Sequence, residues 1–261
     1  MNESDSPSTV LCAAAERYGL FEALRDGAMA RADVEQALDV SRSTAHRVLR
    51  EFEVQGVVER RDGAYRLTAF GDVVAAEAGR AVDTIGAAQR LSPLLEALTR
   101  ADGAFDLSKF RSASVTTPTA DDPYRPVRQF LAPASDADRI REFDPTVPEP
   151  AYQRALAERA GSDLTASILY PPSVVEYLEA DGETMLEYAR AGDCFDVRVA
   201  EVPAFRLVLG DERAYVGGYD DEGTHMRLVV DTDDRGAVEW ASEFFDAKWA
   251  DATPYGEYRD G

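Results

Sequence analysis

The sequence predicts a two-domain chain of α+β and α/β character. A small helical N-terminal domain closed by a β-hairpin precedes a larger α/β domain on a mixed sheet. Three observations carry this. Helical periodicities followed by an Asp-Gly hairpin signal fill the first 68 residues. A strand–helix–strand order after residue 163 calls for a parallel pair with a right-handed crossover. The charge is also divided: of the net −21, residues 1–70 carry −3 and the remaining 191 carry −18.

Val10, Ala14, Tyr18, Phe21 and Leu24 recur at helical spacing and predict one helix over Val10–Leu24. "ARADVEQALDV" predicts a second, with Val34, Ala37 and Leu38 inward. Asp39-Val40-Ser41 is the turn, and Ser41 is a good N-cap. The third helix, Arg42 to Gln55, sets Ala45, Val48, Leu49 and Phe52 on one stripe and ends at Gly56. Its other face shows Arg42, Ser43, His46, Arg47 and Arg50, with Thr44 in its first turn. "VVERRDGAYRLT" predicts two short strands around Asp62-Gly63.

Helix, turn, helix and hairpin make the winged-helix order. A helix whose leading exposed residues are Arg, Ser, Thr and His suits the major groove of double-stranded DNA. Arg60 and Arg61 on the wing suit phosphate or the minor groove. The DNA-binding candidates are therefore Arg42, Ser43, Thr44, His46, Arg47, Arg50, Arg60 and Arg61. The alternative is a winged helix used as a protein-interaction module or scaffold.

Thr68 to Leu98 reads as helical, with Phe70, Val73, Val74, Val82 and Ile85 apolar, and Ser92-Pro93 restarts a helix. This connector, 81–104, is expected to pair two protomers into a homodimer, as an element here commonly does in winged-helix regulators, the alternative being that it packs onto its own domain. Nine of the thirteen prolines fall between Pro118 and Pro172, so the segment from Ser114 to Arg139 reads as loop or extended wrap. "RIREFDP" predicts a strand, "EPAYQRALAERAG" a helix, "LTASILY" a buried strand, "PPSVVEYLEADGETMLEYARAG" a helix broken near Asp181-Gly182, and "FDVRVAEV" a strand. Three more strands follow in "FRLVLGDERAYVGGYDDEGTHMRLVV", then a helix with Ala237, Val238, Ala241, Phe244, Phe245 and Trp249 as core. The tail, 251–261, is expected to fray.

Other chemistry is not encoded. No run approaches a membrane span and "MNESDSPSTV" is no secretory signal, so a soluble, cytoplasmic protein is expected. Cys12 and Cys194 lack metal or redox spacing and read as buried small apolar residues. No nucleophile elbow, phosphate loop, dinucleotide fingerprint or metal-spaced histidine pair occurs, so no catalytic residue, metal or cofactor is expected, and the chain reads as no enzyme. If the second domain takes a small-molecule effector, Arg206, Tyr170, Tyr219 and His225 are the polar residues on or beside its strands that could converge on it. A filled core there would favour assembly instead.

Two resemblances add to this reading. With 49 acids against 28 basic residues and lysine at only Lys109 and Lys248, the composition resembles proteins of salt-in halophilic archaea. There concentrated salt screens charges beyond about 3 Å. "LDVSRSTAHRVLREFEVQGVVERRDGAYRLTAFGDVVA", with its trailing Y-x-L-T-x-x-G, resembles the winged helix-turn-helix of archaeal transcriptional regulators over residues 8–80. "ILYPPSVVEYL", "VPAFRLVLGDERAYVGGYDDEG" and "AVEWASEFFDAKW" resemble the C-terminal domain of archaeal regulators related to the methanogenesis regulatory protein, over 105–250. That resemblance implies a domain like half of a phospholipase D-like fold. The catalytic H-x-K-x4-D of that fold is absent: neither His46 nor His225 is followed two places on by Lys. It therefore implies effector sensing or assembly rather than hydrolysis.

Overall fold

The computed structural model describes residues 6–92, 94–95, 107–159, 164–181, 186, 194–220, 222–223 and 225–260. The chain divides into two compact units, Met1–Gly86 and Ala87–Gly261. The first unit runs α1 (Pro7–Glu16), α2 (Tyr18–Asp26), β1 (Met29–Ala30), α3 (Arg31–Ala37), α4 (Arg42–Val54), β2 (Val58–Arg61), β3 (Ala64–Leu67) and α5 (Ala69–Arg90). Its three strands form an antiparallel sheet in the order β1-β3-β2.

The helix predicted over Val10–Leu24 is two helices, turning at Arg17 with φ −126° and ψ 31°. The apolar spacing keeps its phase through the break, so periodicity does not disclose it. Beyond the turn, Tyr18 lies against Gly79 of α5, where an added Cβ would stand 2.6 Å from the Tyr18 hydroxyl. The core beneath joins Leu20, Phe21, Leu24, Val34, Ala45, Val48, Leu49 and Phe52 to Val74, Ala75 and Ala78. Phe21 meets Phe52 edge to face, with centroids 5.0 Å apart.

The hairpin turns as its Asp-Gly pair demands, with φ 52° at Asp62 and 87° at Gly63. Two left-handed residues in succession match the twist of the flanking strands. The stretch Tyr65-x-Leu67-Thr68-x-x-Gly71 then has a physical reason. The Thr68 hydroxyl donates to the Gly56 carbonyl at 2.6 Å and accepts from the Gly71 amide at 2.9 Å, so it caps α5 and holds the end of α4. Gly71 sits so close that a Cβ there would lie 2.0 Å from the Val57 carbonyl oxygen.

The second unit continues through a 3-10 turn (Leu107–Phe110), β4 (Ser114–Thr116), α6 (Arg125–Gln129), α7 (Leu131–Asp136), β5 (Arg139–Phe143), α8 (Pro150–Arg159), β6 (Thr165–Tyr170), α9 (Pro172–Asp181), β7 (Phe195–Val199), β8 (Phe205–Leu209), β9 (Ala214–Tyr219), β10 (Met226–Thr232), α10 (Arg235–Ala250), β11 (Thr253–Pro254) and α11 (Tyr255–Asp260). Its eight strands form one mixed sheet in the order β11-β7-β6-β5-β8-β9-β10-β4. β6 and β7 are parallel, as the strand–helix–strand order predicts, β5 joins them in parallel on the other side of β6, and the rest pair antiparallel. One face packs under α7, α8, α9 and α11 through Phe130, Tyr152, Leu156, Val175, Leu178 and Tyr255. The other takes Trp240, Ala241, Phe244 and Phe245 of α10. Covered on both faces, β8 is buried at all five positions and reads as an unbroken apolar run apart from Arg206.

Three expectations are corrected. The proline-rich stretch read as loop holds β4, α6 and α7, because Pro126 and Pro133 occupy first-turn positions where the missing N–H has no helical partner to lose. The tail read as frayed is docked: β11 pairs with β7, and buried Tyr255 donates to Glu179 at 2.5 Å. Cys12 is exposed and Cys194 half-buried, and both are free thiols. Pro93 and residues 96–104 of the connector, residues 105–106 and the break at Gly182 lie outside the described residues. No helix among the described residues is long and apolar enough to cross a membrane.

Gly71→Ala is expected to destabilise the first unit by about 2 kcal/mol or more, since the opposing atom is backbone. Gly19→Ala, with nothing within 4 Å of the new methyl, is the control and should gain up to about 1 kcal/mol. Denaturant titration of both variants checks this.

Candidate functional site

Ser41 starts α4 by accepting from the Thr44 amide at 3.3 Å, and its hydroxyl lies 3.0 Å from those of Ser43 and Thr44. With Ala45, Val48, Leu49 and Phe52 buried, the helix is fixed in rotation. Arg42, Ser43, His46, Arg47 and Arg50 then face solvent, and Thr44 is half-buried. On the hairpin, Arg60 and Arg61 are exposed, Arg60 lying over the Tyr65 ring at 5.7 Å. The candidates of α4 thus share one open helix face, and those of the hairpin sit beside its tip.

Their electrostatics can be compared with those of the other arginines. Arg17, Arg31, Arg66 and Arg80 each hold a neighbouring carboxylate. Arg42, Arg47, Arg50, Arg60 and Arg61 form no ion pair among the described residues, and neither do Arg25, Arg90, Arg111, Arg125, Arg139, Arg154 and Arg227. Carboxylates share this surface, Glu51 beside Arg47 and Arg50 on α4 and Asp62 at the hairpin tip, but none forms an ion pair with these five arginines.

The second group of candidates is arranged otherwise. Arg206 of β8 is 2% exposed and lies between the rings of Phe130 and Tyr152, 4.3 and 4.1 Å from their centroids. Its guanidinium meets Glu142 at 3.2 Å and Asp144 at 3.2 Å, both carboxylates being fully buried beside β5. Tyr152 donates a short hydrogen bond to Glu142, and Tyr219 donates to Asp144 at 2.9 Å with Thr146 3.0 Å from its hydroxyl. Tyr170, buried at the end of β6, is close enough to act electrostatically on Tyr152.

So Arg206, Tyr170 and Tyr219 do come together, but in a closed cluster in which the guanidinium is already matched by carboxylates. His225 does not join them: its side chain is 82% exposed and its Nδ1 lies 3.2 Å from Asp220. The expected convergence of all four on one ligand is corrected accordingly. Glu142, Asp144, Tyr152 and Phe130 were not anticipated.

Burial drives the titration of this cluster. It pushes the Glu142 carboxyl up, against the pull of Arg206 and the Tyr152 hydrogen bond. It raises Tyr152 well above the usual phenol range, helped by the Glu142 charge, and raises Tyr219, helped by Asp144. For Arg206 burial acts downward, but Asp144 and Glu142 outweigh it and hold the guanidinium charged. Two carboxylates around one cation leave one negative charge in excess, and Glu142 Oε1 has no hydrogen-bond partner among the described residues. No group of side chains among them could hold a metal ion.

Residues 123–251 match the methanogenesis regulatory protein FilR1, middle domain, and residues 6–90 match the HVO_A0261 N-terminal domain. The second unit is therefore similar to a domain of a regulatory protein. No curated protein matches the chain. Among solved structures, TrmBL2, an archaeal chromatin protein with a novel mode of DNA binding, is 16% identical at a TM-score of 0.45, covering 95% of this chain and 99% of its own. Nuc from Salmonella typhimurium, a phospholipase D family member, is 14% identical at 0.44, covering 55% of this chain and 99% of its own. NucT from Helicobacter pylori is 10% identical at 0.43 with the same coverages. At these scores none of the three carries an argument.

Arg206→Met is expected to destabilise the second unit by about 3–5 kcal/mol, because it strands two buried carboxylates, and thermal unfolding checks it. A pH series is the second check. A carboxyl whose folded pKa lies above its ordinary value of 4.5 holds its proton more tightly when folded. That contribution is complete below about 4.5 and is lost as pH rises through the folded value. Wild type should therefore lose stability relative to Glu142→Gln as pH is raised above 4.5. Parallel pH profiles would show that Glu142 carries no such proton.

Proposed function

We propose that the chain is a DNA-binding transcription regulator, a binding protein that works without cofactor or catalysis. In this reading α3, the turn before Ser41 and α4 form a helix-turn-helix, and the β2–β3 hairpin is its wing. Arg42, Ser43, Thr44, His46, Arg47 and Arg50 enter the major groove, and Arg60 and Arg61 meet the backbone or minor groove. The observation that carries the reading is the set of arginines on α4 and the hairpin left without ion pairs in a chain of net charge −21. Unpaired like charges on one face repel one another, and a polyanion offsets that repulsion. The similarity of residues 123–251 to a regulatory protein's domain agrees with it.

The regulator is read as a homodimer. Phe70, Val73, Val82 and Ile85 of α5 are exposed apolar side chains, and a second copy would cover them. The reading also places the protein in a cytoplasm of concentrated salt. With the acidic excess concentrated after residue 70, molar salt screens the repulsion between the bulk of the chain and DNA. Binding is then expected to change little, or to strengthen, as salt rises, unlike the steep loss through counterion release seen for basic proteins.

A second reading concerns the α/β unit. An effector held by Arg206 would have to displace Glu142 or Asp144 and push apart the rings of Phe130 and Tyr152. The closed cluster favours a unit that serves assembly, with any effector bound elsewhere.

The test is binding of the DNA upstream of its own coding region in molar KCl, wild type against the Arg42→Ala/Arg47→Ala double variant. Each base contact is worth about 1–3 kcal/mol, so specific affinity should fall by more than about tenfold. Wild type binding no duplex at any salt would leave the first unit as a protein-interaction module.

A further inference from the structure

Beside the exposed face of α4 runs an open groove whose other wall is α1. It measures about 540 Å³ where Thr9 faces His46, Arg47, Arg50 and Glu51. It continues for about 450 Å³ past Ser8, Cys12, Arg17 and Arg47. Resting on the DNA-binding reading of α4, we propose that this groove seats one sugar–phosphate strand of the duplex, making α1 a second contact element.

Geometry and charge support this. A helix lying in the major groove has a phosphate rail on either side, and α1 borders α4 along its Arg47 and Glu51 edge. The rail on that edge therefore passes over the groove. Arg47 and Arg50 carry no carboxylate partner among the described residues, while Glu16 is engaged by Arg17 at 3.1 Å. Cations on the two walls outnumber carboxylates, in a chain where the reverse holds overall. The first turn of α1 adds hydroxyls: Ser6 lies 2.9 Å from that of Ser8 and 2.8 Å from that of Thr9, on a ten-residue helix whose N-terminus favours anions.

Thr9 gives a clean test because a charge of either sign can be placed there without unfolding the helix. With Ser6 as N-cap, Thr9→Glu completes a Ser-x-x-Glu capping box and should leave the fold as stable or more so. The probes are the upstream duplex and a scrambled duplex of equal length, titrated over a salt series, with thermal unfolding of each variant alongside. Thr9→Glu is expected to weaken both duplexes by on the order of tenfold, and Thr9→Lys to strengthen both and shift the salt dependence by about one ion toward loss of binding at high salt. The preference between the duplexes should not change, since a phosphate contact reads no sequence. Variants that bind like wild type place α1 off the DNA and overturn this inference while the reading of α4 stands. Wild type that binds neither duplex overturns both.

Discussion

The guanidinium of Arg206 holds the two halves of the large sheet together. β5 is the strand at which the parallel run toward β7 meets the antiparallel run toward β10, and β8 is its antiparallel neighbour. Arg206 spans that junction to two carboxylates of the next strand and is clamped by rings from the covering helices. A register slip of one residue in β8 would turn Arg206 to the opposite face, away from both carboxylates and both rings. An apolar pair could match the stability of such a buried ion cluster, but it would accept several registers nearly equally well. The aromatic clamp also fixes where α7 and α8 lie on the sheet, so the packing of that face follows from this one cation.

In the first unit the organising constraint is an absence of pairing. Several arginines elsewhere are matched by carboxylates, as Arg141 is with Asp246 and Arg213 with Asp231 and Asp233. On α4 and the hairpin, Arg42, Arg47, Arg50, Arg60 and Arg61 form no ion pair among the described residues, while Glu59 holds Arg66. The fold supplies the rigidity that makes this useful: a hydroxyl cap at Ser41, a buried stripe, and Thr68 joining the end of α4 to the start of α5. The interface proposed for DNA is thereby set on one helix of fixed rotation.

Much of this is legible in the sequence, for reasons tied to particular residues. The orientation of α4 follows from a stripe of four apolar residues and a serine before it, and the hairpin follows from Asp62-Gly63, whose backbone preference is local. The break at Arg17 leaves no trace in the apolar spacing, and β1 and β11 are two residues each, too short for a period-two signal. The proline count misleads because prolines serve helix starts as well as loops. Arg206 stands out as a lone charge in an apolar run, but its partners were missed. Glu142 and Asp144 do carry a signal, two acids one residue apart on the same face of a strand bound for burial. What the chain could not disclose is which other strand supplies the opposite charge, since that is a matter of sheet order.

The two edges of the large sheet have a consequence for how the molecule can associate. β4 pairs over three residues and β11 over two, and the latter includes Pro254, which has no N–H to offer. Eight strands are thus bounded by stubs that expose little backbone for another chain to template on. Growth by strand addition, the route to fibres and swapped sheets, is closed off at both ends. Any contact the large sheet makes with another chain is thus left to side chains rather than to backbone pairing.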